Sequence, residues 1–154
     1  MEIKLVDFLN ENQKAQIVQL WNAEYPAGLA YENIAGFEEY LSKTGNPLHY
    51  LIEAQHQLIG WMATFERENE RWFSIILDSK HQKMGLGSRL INEAKKQSQT
   101  LNGWVLDHNS ERKLNGEFYL SPLAFYLKNG FNVLDDIRLE TEKISAVKIQ
   151  WTKN

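Results

Sequence analysis

The 154-residue sequence contains no cysteine, no long apolar run and no visible leader at its N-terminus. Without cysteine the chain forms no disulfide, carries no thiolate nucleophile and offers no cysteine ligand for zinc. No apolar stretch approaches the roughly 20 residues that a transmembrane helix needs, and the first residues lack the basic and apolar regions of a signal peptide. We therefore expect a protein without membrane association that stays in the cytoplasm.

Charges of both signs are present, and the formal net charge is only −3. General nucleic-acid-binding proteins carry a basic surface, so this balance argues against nucleic acid as a partner. Five basic residues lie within positions 80–96 against a single acidic one, which favours an anionic ligand there, whereas the acidic excess in positions 1–42 favours a cationic one. His49 and His56 are isolated, so we expect no metal site.

A hydrophobic fraction of 43%, with five Trp, six Tyr and seven Phe, is enough for a sizeable core. No repeat, low-complexity tract or linker divides the chain, so we predict one domain over residues 1–154. Three consecutive strand patterns joined by short polar turns indicate antiparallel pairing. The later strand-helix-strand segments indicate crossover connections, and the order as a whole predicts a mixed α/β (α+β) fold.

Periodicity and capping residues place the individual elements. Asn10 and Gln13 form a capping pair at the start of the first helix. The last helix has Ser121 as N-cap, Pro122 at its first position and Gly130 beyond its end. The predicted strands cover residues 2–8, 48–54, 57–66, 71–78, 103–108, 131–136 and 145–151, and the predicted helices cover 10–21, 33–43, a segment ending near 99, and 122–129.

The stretch "HQKMGLGSRL" lies between an apolar strand and an amphipathic helix. It is not a dinucleotide fingerprint, because Leu90 stands where the third glycine belongs, and it is not a P-loop, because no Lys follows Gly87. What remains is Q-x-x-G-x-G at Gln82, Gly85 and Gly87. Successive amides at the positive end of a helix predict a pyrophosphate site, and the alternative is an ordinary loop with a capping glycine.

Two motifs resemble those of the GNAT family of N-acetyltransferases. The pattern at Gln82, Gly85 and Gly87 resembles the family's acetyl-CoA loop, Q/R-x-x-G-x-G/A. The segment "SPLAFYLKNGF" resembles its helix-and-strand signature ending in F-Y-x-x-x-G-F, with Tyr126 at the marked tyrosine. The order of elements is also similar along nearly the whole chain.

The resemblance implies a single GNAT-like domain with a central, mixed, mostly antiparallel sheet of about seven strands and about four flanking helices. A V-shaped splay between the fourth and fifth strands would hold acetyl-CoA as co-substrate, without a metal. A primary amine of a small molecule or a protein would attack the thioester directly. The residues that the resemblance assigns to acetyl-CoA are Ile75, Ile76 and Leu77 for the pantetheine arm, and Gln82, Lys83, Met84, Gly85, Leu86, Gly87 and Ser88 for the pyrophosphate.

Tyr126 is the predicted general acid for the departing CoA thiolate. A phenol with a pKa near 10 stays protonated at neutral pH and can protonate a thiolate whose pKa is about 8.5. His108, at the end of a strand, is a second catalytic candidate that orients the acceptor or acts as base. Some family members use a strand Glu as base, but that position falls near Arg71 here, so no base is named and water-mediated deprotonation stays open.

The acceptor side is predicted from two segments. Tyr25 and Tyr31, with acidic neighbours, suit a cationic amine, although the same aromatics could pack into the core. Asp107 and Asn109 lie at the strand end beside the expected thioester. The polar loop 109–120 is longer than the family's usual connection, and it could shape specificity or form a subunit contact. Acceptor identity, acyl length and the choice between monomer and homodimer stay open.

Two other functions compete with an acetyltransferase. A non-catalytic acyl-CoA-binding sensor or partner subunit of the same fold would explain the absent strand Glu and the altered loop before Tyr126. Tyr126 itself argues for the enzyme. An aromatic-rich protein-interaction domain is the third possibility, and it predicts no affinity for CoA.

Overall fold

The computed structural model describes residues 1–154 and contains one seven-stranded sheet flanked by four α-helices. Two short 3₁₀ turns, Ala27–Leu29 and Ser79–His81, complete the regular structure. No helix has the length and apolar character needed to cross a bilayer. The strands are β1 (Ile3–Val6), β2 (Gly45–Ala54), β3 (Gln57–Arg67), β4 (Glu70–Leu77), β5 (Thr100–Val105), β6 (Asn132–Glu140) and β7 (Ser145–Thr152), and the helices are α1 (Glu11–Glu24), α2 (Ile34–Ser42), α3 (Leu86–Lys96) and α4 (Leu123–Lys128).

The sheet has the strand order β1-β2-β3-β4-β5-β7-β6. Every neighbouring pair is antiparallel except β4 and β5, which are parallel. Strands β4 and β5 share only one paired position, Trp72 with Asn102, and diverge beyond it. The predicted mixed fold, with a splay between the fourth and fifth strands, is therefore confirmed.

Two buried clusters cover the two faces of this sheet. On one face α1 and α2 bury Ile17, Trp21 and Phe37 against Trp61 of β3. On the other face Leu90 and its neighbours on α3, together with α4, pack against the alternate residues of the strands. Successive side chains of a strand point to opposite faces, which is why the same strands feed both clusters.

The predicted cap of the first helix is confirmed, and α2 has a cap that the sequence analysis did not name. Asn10 and Gln13 form the expected capping box, and the Asn33 side chain accepts from Gly36 N–H at the start of α2. The predicted N-cap of the last helix shifts by one residue, because the first helical residue is Leu123 and Pro122 takes the cap position. The Ser121 hydroxyl still accepts from Leu123 N–H at 3.3 Å while it donates to the carbonyl of Leu106.

Some predicted boundaries also change. Helix α3 ends at Lys96 rather than near 99, and β5 begins at Thr100, three residues early, because pairing with β7 extends to Thr152. Strand β6 continues to Glu140, since a register shift after Leu134 lets its second half pair with β7 again. Tertiary pairing decides each of these ends.

A buried histidine makes the stability of this fold depend on pH. His49 is 2% exposed, and its Nδ1 accepts a hydrogen bond of 3.0 Å from the indole N–H of Trp61. Burial lowers the pKa of His49 from 6.5 to about 4. Between these values the unfolded chain binds a proton that the folded chain does not, so stability is lost as the pH falls.

We expect the free energy of unfolding to fall by up to about 1.4 kcal/mol per pH unit between pH 6.5 and 4 from this residue alone. Urea unfolding at half-unit intervals from pH 7.5 to 4.5 measures the slope. In His49→Gln, which keeps an acceptor for Trp61, the slope should be smaller. An unchanged slope in that variant would assign the pH dependence to other groups.

Candidate active site

A cleft of about 810 Å³ lies where β4 and β5 diverge. Four segments line it: the end of α1, the end of β4, the loop and helix start at 82–88, and residues 119–129. A second depression of about 460 Å³ at the opposite end of the two strands is lined by polar residues and contains none of the predicted site residues. The larger cleft is therefore the candidate active site.

The loop before α3 turns unpaired amides toward the cleft. Lys83 and Gly85 have positive φ angles of 66° and 77°, and Gly85 is the N-cap of α3 without a side-chain cap. The first intrahelical bond is donated by Arg89 N–H to Gly85 O, so the N–H groups of 86–88 have no helical partner. These free amides lie at the helix start where the sequence predicts an anion-binding site.

Gly87 has a different role in the same loop. A Cβ on Gly87 would lie 2.9 Å from the Phe125 ring of α4. The glycine therefore lets α4, which carries Tyr126, pack directly on the start of α3.

The end of β4 presents donors rather than acceptors to the cleft. Asp78 N–H donates to Ile59 O of β3, so by alternation Ile76 pairs with β3, and Ile75 and Leu77 turn their backbone groups toward the gap. Two side chains already donate hydrogen bonds to the carbonyls that β4 turns toward the gap. Tyr25 Oη donates to Ile75 O at 2.9 Å, and Gln82 Nε2 donates to Leu77 O at 3.2 Å.

Three phenols surround the cleft. Tyr126 is buried, and its hydroxyl makes no hydrogen bond with the protein. Tyr119, on the opposite wall, has its ring 6.4 Å from that of Tyr25. Burial raises the pKa of all three phenols: that of Tyr119 to about 12, and those of Tyr25 and Tyr126 well above the usual value. For Tyr126 the nearby Tyr119 adds to the rise. All three therefore stay neutral hydrogen-bond donors at physiological pH.

The predicted strand-end residues lie outside the cleft. His108 uses both ring nitrogens, since Nδ1 accepts from Ser110 N–H at 3.2 Å and Nε2 lies 3.2 Å from Ser145 O. Both ring nitrogens of His108 therefore already have a partner away from the cleft. Asp107 accepts two hydrogen bonds from Arg138, which lower its pKa.

Three other predicted residues also lack a place in the lining. The Asn109 side chain accepts from Ser121 N–H at 2.7 Å. Tyr31 packs its ring 5.0 Å from that of Trp21, which is the core alternative, and Met84 is exposed at the loop tip. The predicted residues that the structure does bring together at the cleft are Tyr25, Ile75, Ile76, Leu77, Gln82, Lys83, Gly85, Leu86, Gly87, Ser88 and Tyr126.

An ion pair at the mouth of the cleft joins residues distant in sequence. Buried Glu24 accepts from Ser79 N–H at 2.9 Å and from Lys113 Nζ at 3.2 Å. Sequence reasoning did not pair Glu24 with Lys113, since 89 positions separate them. One signal was present: a carboxylate in the last turn of a helix is unfavourable next to the helix dipole, so such a residue is expected to have a partner elsewhere.

The sequence matches one known protein family. A family model described as an acetyltransferase (GNAT) domain matches residues 45–133, more than half of the chain. The chain belongs to the GNAT acetyltransferase family. The matched region includes the 82–88 loop and Tyr126, so the prediction of an acetyltransferase of this family is confirmed.

Solved structures of the GNAT family share the fold at low sequence identity. An aminoglycoside 6'-N-acetyltransferase complexed with coenzyme A is 18% identical, with a TM-score of 0.75 over 99% of this chain and 97% of that one. The aminoglycoside 6'-N-acetyltransferase from Enterococcus faecium has the same identity and coverage and a TM-score of 0.72. The PaiA N-acetyltransferase from Thermoplasma acidophilum in complex with coenzyme A is 18% identical, with a TM-score of 0.64 over 99% of this chain and 100% of that one.

No curated protein matches the sequence significantly. At such identities the structural likeness shows the fold of this GNAT protein and not its acceptor.

The conformation of the loop can be tested at Gly85. A Cβ at this position meets no atom within 4 Å, so only the positive φ opposes a side chain. We expect Gly85→Val to lower the free energy of unfolding by roughly 1–2 kcal/mol, and Gly85→Asn by less, because Asn tolerates the left-handed region. Urea unfolding of the matched pair checks this, and equal stability of the two variants would contradict the loop conformation.

Proposed function

We propose that this GNAT protein is a cytoplasmic N-acetyltransferase, acting as one domain over residues 1–154, that transfers the acetyl group of acetyl-CoA to a primary amine. One observation carries the proposal: the free amides before α3, the donors of β4 and the unbonded hydroxyl of Tyr126 all face a single cleft. Phosphate, amide and thioester groups follow one another along acetyl-CoA in an order that these three features match.

Acetyl-CoA binding would use backbone donors. The N–H groups of 86–88 and the positive end of α3 suit the pyrophosphate, and the Lys83 side chain at the same wall adds charge. The N–H groups of Ile75 and Leu77 suit carbonyls of the pantetheine arm, because Tyr25 and Gln82 already satisfy the strand's own carbonyls. Strand-like pairing with the cofactor therefore proceeds mainly through donors of the protein.

The reaction balances without a protein nucleophile. The amine nitrogen attacks the thioester carbon, the C–N bond forms, and the C–S bond breaks to release CoA as a thiolate. Tyr126 gives its hydroxyl proton to the departing sulfur, which forms CoA thiol, and the one proton released by the nitrogen returns to the phenolate through water. Since burial raises the pKa of Tyr126, its hydroxyl stays protonated until the thiolate forms.

The deprotonation of the amine is assigned to water. Both oxygens of Glu24, the carboxylate in the cleft lining, already accept hydrogen bonds. Arg71, at the position where some family members have a Glu, donates to Thr64 O and Oγ1. For a cationic acceptor the remaining attractive groups are the ring faces of Tyr25 and Tyr119. The aminoglycoside acetyltransferases of the same fold support an amine acceptor without identifying it.

We expect calorimetric titration at low salt to give a dissociation constant near micromolar for acetyl-CoA, about −8 kcal/mol. NAD and ATP are the controls, because each carries a pyrophosphate but no pantetheine arm. An affinity for acetyl-CoA well above the affinities for NAD and ATP supports the proposal. A folded sample that binds none of the three would refute it.

We expect Tyr126→Phe to reduce turnover by about 100-fold or more, as loss of a general acid does, with acetyl-CoA affinity changed less than about twofold. Thiol release from acetyl-CoA with a panel of primary amines measures turnover, and calorimetry measures affinity. Tyr31→Phe, which removes a phenol outside the cleft, is the control. Binding without turnover for any amine would favour the acyl-CoA-binding sensor instead, and an active Tyr126→Phe would reject the role of the hydroxyl.

A further inference from the structure

Glu24, which lines the cleft, bonds to two segments that are distant in sequence. It is 9% exposed at the end of α1, and each carboxylate oxygen has its own partner. Oε2 accepts from Ser79 N–H, and Ser79 lies in the turn that leads into the 82–88 loop. The carbonyl of the same Ser79 accepts from the N–H of Gln82, the first residue of that loop. Oε1 accepts from Lys113 Nζ, which belongs to the segment before α4.

Lys113 belongs to an ordered hairpin formed by residues 111–119. Arg112 and Phe118 form a bridge, and Lys113 N–H donates to Glu117 O at 2.8 Å. The hairpin also contacts the segment after α1, where Ala27 N–H donates to Arg112 O at 2.7 Å. Its last residue, Tyr119, lines the cleft opposite the cofactor loop.

The ion pair is sheltered enough to hold this arrangement. The side chains of Lys113 and Glu24 are 16% and 10% exposed. Charge-assisted bonds of this kind are stronger than exposed ion pairs. Leaving one partner without the other is costly, because the remaining charge stays partly buried. Glu24 is unsuited to act as a base in this state, since a proton would have to displace a cation or an amide.

We propose that Glu24 is a positioning residue that holds the 82–88 loop and the 111–119 hairpin in one arrangement, so that acetyl-CoA bound at the loop also orders the hairpin and with it Tyr119. The inference rests on the proposed function, because it takes acetyl-CoA as the ligand of the loop. It gives the long polar segment before α4 a role in the acceptor half of the site. Such coupling must be reciprocal, so an ordered hairpin also favours cofactor binding.

Hydrogen–deuterium exchange with and without acetyl-CoA tests the proposal in the full-length protein. In the wild type we expect acetyl-CoA to slow exchange in peptides from the loop and also in hairpin peptides containing Lys113 and Gly116, which do not line the cleft. In Glu24→Ala both segments should exchange faster without ligand, and the effect of acetyl-CoA should be confined to the loop. The dissociation constant of the Glu24→Ala variant for acetyl-CoA should rise roughly tenfold, as expected for the loss of one charge-assisted hydrogen bond.

Two further variants separate the two contacts. Lys113→Met keeps the bond from Ser79 and removes only the ion pair, and Glu24→Gln keeps an oxygen that can accept from Ser79 N–H. In both we expect the cofactor's effect on the hairpin to be lost. Because the coupling is reciprocal, acetyl-CoA affinity should also fall, by about twofold and so by less than in Glu24→Ala. The kcat/KM for the amine that the wild type acetylates should be about threefold to tenfold lower. Lys43→Met, which removes an exposed ion pair on α2, is the control.

The outcomes distinguish the two proposals. If the wild type does not bind acetyl-CoA, the proposed function fails, and the exchange of ligand-free Glu24→Ala still shows whether the carboxylate joins the two segments. If acetyl-CoA binds but protects the hairpin equally in wild type and Glu24→Ala, the positioning role is overturned. Equal affinity losses in Lys113→Met and Glu24→Ala would also overturn it, because the effect would then be general destabilisation.

Discussion

The gap between β4 and β5 is the constraint on which the rest of the site depends. Parallel strands inside a sheet normally pair along their length, and a backbone group that is buried without a partner is costly. Here pairing stops at Trp72 and Asn102, and buried Asn102 closes the end of the gap by donating from Nδ2 to Arg71 O and accepting from Gln150. Beyond that point the chain must satisfy an open strand edge inside the molecule.

Side chains satisfy one half of that edge and leave the other half for a ligand. The carbonyls of Ile75 and Leu77 receive Tyr25 and Gln82, whereas the N–H groups of the same residues face the cleft. Together with the uncapped start of α3, the gap presents donors from one end to the other. A ligand that brings phosphate oxygens and amide carbonyls complements such a surface, and this is the physical basis of acetyl-CoA recognition in the proposal.

Much of the fold could be predicted from the sequence, because its signals are local. Alternation and helical periodicity, together with the capping pair Asn10 and Gln13, placed every strand and helix in the right order. Element ends such as Lys96 and Glu140 depended on which residues of β7 remained available for pairing. The start of α4 lies one residue later than predicted, although the Ser121 hydroxyl keeps a contact with Leu123 N–H and also donates to the carbonyl of Leu106.

The two halves of the cleft differ in how far a sequence can specify them. The cofactor half is formed by residues 75–88, so its glycines and helix start form a contiguous motif with a physical meaning of its own. The acceptor half is assembled from the end of α1 and the 111–119 hairpin, which only the folded sheet brings together. His108, Asp107 and Asn109 were plausible by position along the strand, but each found a bonding partner nearer than the cleft. The contacts of Glu24 with Lys113 and with Ser79 join these remote segments to the turn before the 82–88 loop, and a connection across 89 positions leaves no local pattern in the sequence.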